Sequence, residues 1–408
     1  MAYPELRLHN KNGQRDVNMK HFRHVFFVIV MAFCLNACVT PVKTMQLTKI
    51  QLLQDNGNDV KGLDNPRIAR MTPDGTQVLV VSADDDALAV FDLDQNFKLT
   101  FQKLFQNTVD ISGFRGATKV VLTSDGQQAF VVSFYDSAIV VFTKDLKGDY
   151  QYQQTISDHL KWFDQTGKPM VIAQEIDKLG LLGAYDVAIT PDNQQLLIAS
   201  SVSHALSVFN LDANNRISIE QISRDSQNPN YALKSAVSVI AANNNTDVFV
   251  ASYEENAVTV FTRTDSGKLV FSQTLKNNQI KNPHSLAISK DSQFLYVACI
   301  QSVVVFHKQE GQYTHLQTVN IMDDNLAGLA GASGIALTPN NKYVFISAET
   351  EGAVAIFSRS NDGRLKFHSS LKEPELEGAS SVTISPDGKH VFITAGNEGN
   401  SLSIYEID

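Results

Sequence analysis

The chain has 408 residues, 43 % hydrophobic and 19 % charged, which is ample apolar content for a large core. Its 34 Lys and Arg stand against 43 Asp and Glu, a net charge of −9, and that balance argues against nucleic acid and anionic lipid surfaces as main partners. No Walker loop, GxGxxG, HExxH, GxSxG or CxxC motif occurs, so the common signatures of nucleotide folds, zinc hydrolases and serine-elbow hydrolases are missing.

The first segment in chain order reads as an export signal. Lys20 and Arg23 flank an apolar run over residues 25–35, too short to span a bilayer and suited to a secretory signal. The run ends in Leu35-Asn36-Ala37-Cys38, which resembles a bacterial lipobox, although Asn36 departs from the usual small residue. The expectation is a signal peptide over residues 1–37, lipidation of Cys38 and a short tether over 38–43. Val39 rather than Asp follows, which in this resemblance favours the outer membrane of a bacterial envelope. The polar stretch ahead of Met19 is awkward for a signal and makes Met19 an alternative start. An ordinary signal with a coincidental Cys is the competing reading. Five basic and two acidic residues lie in 1–37, so the remainder holds 29 against 41, a net of −12. Cys299 is then the only thiol left besides the lipidated one. No intrachain disulfide is expected, and Cys299 reads as a small core residue.

Short strands begin at residue 44. A phrase such as "SVTISPDGKHVFITAGNEGNSLSIY" recurs seven times, each copy closing on a β-branched tetrad that ends at Phe91, Phe142, Phe209, Phe261, Phe306, Phe357 or Tyr405. Successive tetrads are 51, 67, 52, 45, 51 and 48 residues apart by subtraction. A period near fifty with several strands per unit marks a radial or stacked β-repeat. Within a copy, an alternating strand leads to a turn pair (Asp74-Gly75, Asp125-Gly126, Asp387-Gly388), then a second strand, a loop and the tetrad strand. A more polar fourth strand follows, such as "KLTFQKLFQ" from Lys98, and suits a solvent-facing edge. The last copy has three strands only. Residues 44–54, "TMQLTKIQLLQ", supply the missing fourth and close the ring. The expectation over 44–408 is an all-β, seven-bladed propeller of four-stranded antiparallel blades, with one insertion at about 158–183.

In such a meander the loops between second and third strands share a rim with the segments leading into first strands. Those loops carry Asp84, Asp85, Asp86, Asp136, His204, Glu254, Glu255, Glu349, Glu351 and Glu398. They are a solvated surface, a weak cation site or a docking surface for a basic partner. Arg67, Thr118, Tyr185, Val237, His284, Ser333 and Ser380 should ring the funnel mouth, with Lys119 and Asp186 beside them. Arg70 stands inside a first strand where the other copies have Val, Ala, Ile, Ala, Ala and Thr. It either lines the channel and binds an anion or sits in a structural ion pair. The insertion holds the only tryptophan, Trp162, as a lid or partner anchor, or else packed on its own blade.

The stretch "GLAGASGIALTPNNKYVFISAETEGAVAIFSRSNDGRLKF" from Gly328, with "NPHSLAISKDSQFLYVA" from Asn282, resembles the repeat of bacterial lactonase-like propellers (6-phosphogluconolactonase-type, YVTN-like). The resemblance covers nearly all of the chain after the signal. It implies His, Arg and acidic chemistry near the funnel, which here means His284, Arg67 and Glu254 or Glu255. The repeat serves many functions. The leading expectation is a monomeric envelope module that binds a protein or small ligand through its rim and funnel, with Tyr185, Asp186, Arg70, Trp162, Glu254 and Glu255 as contacts and no cofactor or metal. The alternative is a lactone hydrolase with His284 as general base and Arg67 on an anionic group.

Overall fold

A computed structural model of the chain describes residues 45–55, 60–160, 162, 170, 172–173, 176–212, 216–323, 326–396 and 399–408. Residues 1–44, which include Cys38 and the stretches expected to be a signal and a tether, and Glu398 lie outside the described residues. Residues Met45–Asp408 form one unit. It consists of seven four-stranded antiparallel sheets arranged in a ring, each first strand packing beside the first strands of its two neighbours.

Burial follows strand position. Second strands such as Gln77–Ser82 and Gln128–Ser133 are buried at every residue, because blades cover both of their faces. Fourth strands such as Leu99–Gln106 expose alternate residues and form the outer edge. The hairpins are built by side-chain capping. The Thr72 hydroxyl oxygen accepts the Gln77 N–H at 3.0 Å while its own proton goes to Asp74 Oδ1, which also accepts the Thr76 N–H at 3.0 Å. Thr123 with Asp125 and Thr190 with Asp192 repeat the device. The closing strand is Leu47–Gln54, which pairs antiparallel with Ser401–Ile407 from Leu47↔Ile407 to Gln54↔Ser401. It starts slightly later than residue 44 but closes the ring as the sequence implies.

A second repeated device joins the blades. The residue just before each third strand adopts a left-handed backbone at Asp86, Ser137, His204, Asn256 and Asn400. Its side chain accepts the backbone N–H of the residue that leads into the next blade. The pairs are Asp86 Oδ1 with Gly116 (2.7 Å), Ser137 Oγ with Gly183 (3.1 Å), His204 Nδ1 with Ser235 (3.0 Å), Asn256 Oδ1 with Asn282 (2.8 Å) and Asn400 Oδ1 with Asn65 (3.0 Å). In the fifth blade the Ile300 carbonyl takes over and accepts the Gly331 N–H at 2.8 Å.

These staples change the meaning of the polar rim. Asp85 accepts the Asp64 N–H, Asp136 accepts the Arg115 N–H, and Glu351 accepts the Ala330 N–H. Much of the rim therefore satisfies backbone donors instead of presenting charge to a partner. Asp86→Ala is expected to lower stability by about 1–3 kcal/mol, since a backbone donor loses its acceptor and Ala tolerates the left-handed backbone poorly. Asp86→Asn should cost less than half as much; the shift of the urea midpoint reads both.

Candidate functional site

The mouth is built by bulges. In every first strand one residue is skipped in the pairing register, as between Pro66 and Ile68, Ala184 and Asp186, and Pro283 and Ser285. The skipped residues are Arg67, Tyr185 and His284, and the bulge brings their side chains together at the mouth. They come from blades one, three and five, so only the closed ring brings them together.

Tyr185 and His284 line a cavity of about 410 Å³ with Phe134, Tyr253, Ser333 and Glu349 among others, and Arg67 meets that wall through Tyr185 and Glu349. His284 Nδ1 lies 3.0 Å from the Ser333 carbonyl oxygen. A carbonyl only accepts, so Nδ1 carries the proton. In the neutral ring Nε2 is then an acceptor, and it takes the Tyr185 O–H at 3.2 Å. The Tyr185 ring stands edge-on to His284 at 5.8 Å and to Phe134 at 6.2 Å, which fixes its tilt. Arg67 reaches the Tyr185 side chain and lies 3.6 Å from Glu349 Oε1.

The electrostatics keep the imidazole neutral. Burial, and then the Arg67 charge, push the His284 pKa down to about 4. Burial pushes the Tyr185 phenol above its ordinary value, against the opposing pull of Arg67, so it remains an O–H donor near neutral pH. The mouth thus holds an unprotonated imidazole nitrogen, a phenolic donor and a guanidinium, an arrangement able to take a proton from water and to hold a developing oxyanion.

The sequence-derived candidates divide. His284, Arg67 and Tyr185 converge. Glu254 and Glu255 do not: they sit on the outer rim in ion pairs with Lys234 at 3.0 Å and Lys276 at 2.9 Å. The carboxylate that meets Arg67 is Glu349, on the corresponding loop of blade six. Trp162 is no exposed lid or anchor. It is 2 % exposed, donates from Nε1 to Ser137 Oγ at 2.9 Å and packs edge-on to Phe134 at 5.2 Å. It packs on the mouth's wall through Phe134, and its one N–H is satisfied by Ser137, as a buried indole requires. Asp186 is 5 % exposed, and its carboxylate accepts the Val187 and Val239 N–H groups at 2.9 and 3.0 Å. It ties blade three to blade four and lies with Arg70 and Lys119 in a separate, deeper chamber. Phe134 and Tyr253 escaped the sequence reading, which followed charge along the rim loops and passed over their aromatics. Cys299 is fully buried, as its strand pattern implies.

Four likenesses bear on the chain. The family model "Lactonase, 7-bladed beta-propeller" matches residues 46–231 and 286–408. A 6-phosphogluconolactonase of Serratia proteamaculans is 25 % identical over 278 residues, which span 64 % of this chain and 68 % of that protein. A Bacteroides uniformis crystal structure, provisionally assigned as a 6-phosphogluconolactonase, superposes with a TM-score of 0.62 at 17 % identity, over 78 % of this chain and 87 % of that one. Hydrazine synthase of Kuenenia stuttgartiensis superposes with the same TM-score at 16 % identity, over 86 % and 98 %, so structural likeness at this level speaks for the fold alone. With the family model matching well over half its length, the chain belongs to the lactonase family of seven-bladed β-propellers.

Proposed function

We propose that the mouth hydrolyses a sugar lactone. The observation that carries this reading is the fixed tautomer of His284, whose unprotonated Nε2 accepts the Tyr185 O–H at the mouth, where Arg67 also reaches Tyr185. A lactone carbonyl entering the cavity draws the Tyr185 hydroxyl away from Nε2. Water then attacks the carbonyl carbon and passes its proton to Nε2. The carbonyl electrons move onto oxygen, which the Tyr185 O–H and the Arg67 guanidinium stabilise. Collapse breaks the ring C–O bond, Nε2–H returns the proton to the departing alkoxide, and the new carboxylic acid loses its remaining proton to solvent, so that a hydroxy-acid anion leaves with its charge near Arg67. Glu349 holds the guanidinium in place.

The Serratia relative's activity supports sugar lactones as the substrate class. A binding role through the acidic rim has less behind it, since Asp85, Asp86, Asp136 and Glu351 already accept backbone N–H groups. Attachment to a bacterial envelope through Cys38, with the propeller as a monomer, belongs to the same proposal and rests on the signal and lipobox pattern. The test is a panel of phosphorylated and neutral sugar lactones, with spontaneous hydrolysis subtracted. Turnover on one of them is expected, with kcat falling roughly 100-fold in Tyr185→Phe, the size of a lost oxyanion donor. No turnover above background on any lactone would overturn the reading.

A further inference from the structure

We infer that the central channel holds a second site, separate from the mouth, which binds a small doubly charged oxyanion of the phosphate class between Arg70, Lys119 and Thr383. These side chains come from three consecutive blades, seven, one and two, and line one chamber of about 530 Å³. The chamber shares no lining residue with the mouth cavity. Its walls run on to Pro73 and Ser124 in the hairpins of blades one and two, so it lies toward the opposite face of the ring.

Three observations point to an anion. First, Arg70 and Lys119 make no ion pair or side-chain hydrogen bond among the described residues, whereas the channel's other arginine, Arg67, is paired with Glu349. Two cations held close without partners are costly unless something negative joins them. The carboxylate near both is Asp186, which is also held by the Val187 and Val239 N–H groups, and its single charge offsets at most one of the two cations. Second, Thr383 is 6 % exposed and its hydroxyl has no partner among the described residues, an orphan donor in the wall of the same chamber. Third, the room is there by residue choice. Where blade one has Arg70, blades three and six have Ala188 and Ala336, and where blade two has Lys119, blade six has Gly334. Burial, with smaller contributions from Arg70 and Arg67, also presses the Lys119 pKa below its ordinary value against the pull of Asp186, a strain that an anion would relieve. A guanidinium, an ammonium and a hydroxyl around one space suit an oxyanion with several acceptor oxygens. The site stands whether or not the mouth is a lactonase.

The experiment is calorimetric titration of the full chain at about pH 8, where phosphate is a dianion. Inorganic phosphate and glycerol phosphate are the two arms, with chloride at matched ionic strength as the blank. Saturable binding of one anion per chain is expected, weakened about ten-fold or more in Arg70→Gln and in Lys119→Gln, the usual size for a lost charge-assisted bond. Arg67→Gln should leave it within about two-fold. The nearly isosteric Thr383→Val, expected to weaken binding a few-fold at least, keeps the test valid if a charge variant fails to fold. The tighter arm shows whether a free or an esterified phosphate is preferred. The inference fails if neither arm saturates, or if binding is lost in Arg67→Gln and kept in the other three variants.

Discussion

His284→Ala should bring lactone turnover down by roughly 10²–10⁴-fold, the range for loss of a positioned general base. The loss should fall on kcat, with KM changed little, because in the proposed reaction Nε2 handles a proton while the walls of the cavity hold the sugar. His284→Gln keeps a side chain able to bond the Ser333 carbonyl and should be equally inactive, which separates a proton acceptor from a packing residue. The pH profile is the sharper readout. Burial and the Arg67 charge hold the imidazole near pKa 4, so kcat/KM should stay level down to about pH 5 and fall only below that, where an ordinary histidine base fails near 6.5. An acid limb centred near 6.5 would mean that His284 is not the base, or is not buried as described. Stability carries the same sign. The folded state resists protonating His284, so the unfolded chain binds the extra proton first. Stability is then lost as pH falls from about 6.5 towards 4, by roughly 3 kcal/mol in all if the whole shift is expressed. The difference between wild type and His284→Gln, measured by denaturant unfolding, should grow across that window and level off below it.

How much of this was legible follows from what each feature requires. Seven copies of one phrase, each with a turn pair drawn from Asp, Asn, Gly and Ser, define the blades, because a hairpin is a local object. The ring closure was readable for the same reason: one strand was missing at one end and one was spare at the other. The mouth was half readable. Arg67, Tyr185 and His284 share one position of the repeat, so aligning the turns finds them without any knowledge of the third dimension. Glu349 was not singled out, because six of the seven rim loops carry polar or charged side chains, most of them acidic, and only the ring decides which of them faces Arg67. Arg70 and Asp186 show the limit from the other side. They stand close in the repeat to the mouth residues, yet a step of about 3.3 Å per residue along a strand carries a side chain from one chamber into the next. The rim misled for a chemical reason. Asp, Asn, Ser and His are the residues that accept a backbone N–H and tolerate a left-handed backbone, so a staple and a binding surface share one composition.

Deleting residues 45–54 should abolish the cooperative unfolding of the whole propeller or lower its Tm by more than about 15 °C, far beyond the loss of a frayed end. The strand makes a full ladder with Ser401–Ile407, and each of those bonds has a net worth of about 0.5–1.5 kcal/mol, so the sum rivals the 5–15 kcal/mol that holds a typical domain. It also buries Met45 and Leu53. A third contribution comes from Gln51, whose amide nitrogen donates to the Leu99 carbonyl at 3.0 Å while its oxygen accepts the Leu99 N–H at 2.7 Å. That clasp joins the outer strands of blades seven and one. Gln221 with Leu269, Gln273 with Tyr313 and Gln317 with Leu365 repeat it around the ring. The first strand therefore does for blade seven what an ordinary fourth strand does for its neighbours, and its removal opens the ring where the first and last blades meet. Gln51→Ala isolates the clasp and should cost about 1–2 kcal/mol with the ladder intact. Calorimetry on the two variants distinguishes the ladder from the clasp. A deletion Tm within about 2 °C of wild type would mean that six complete blades and one of three strands hold themselves together, and that closure contributes nothing to the fold.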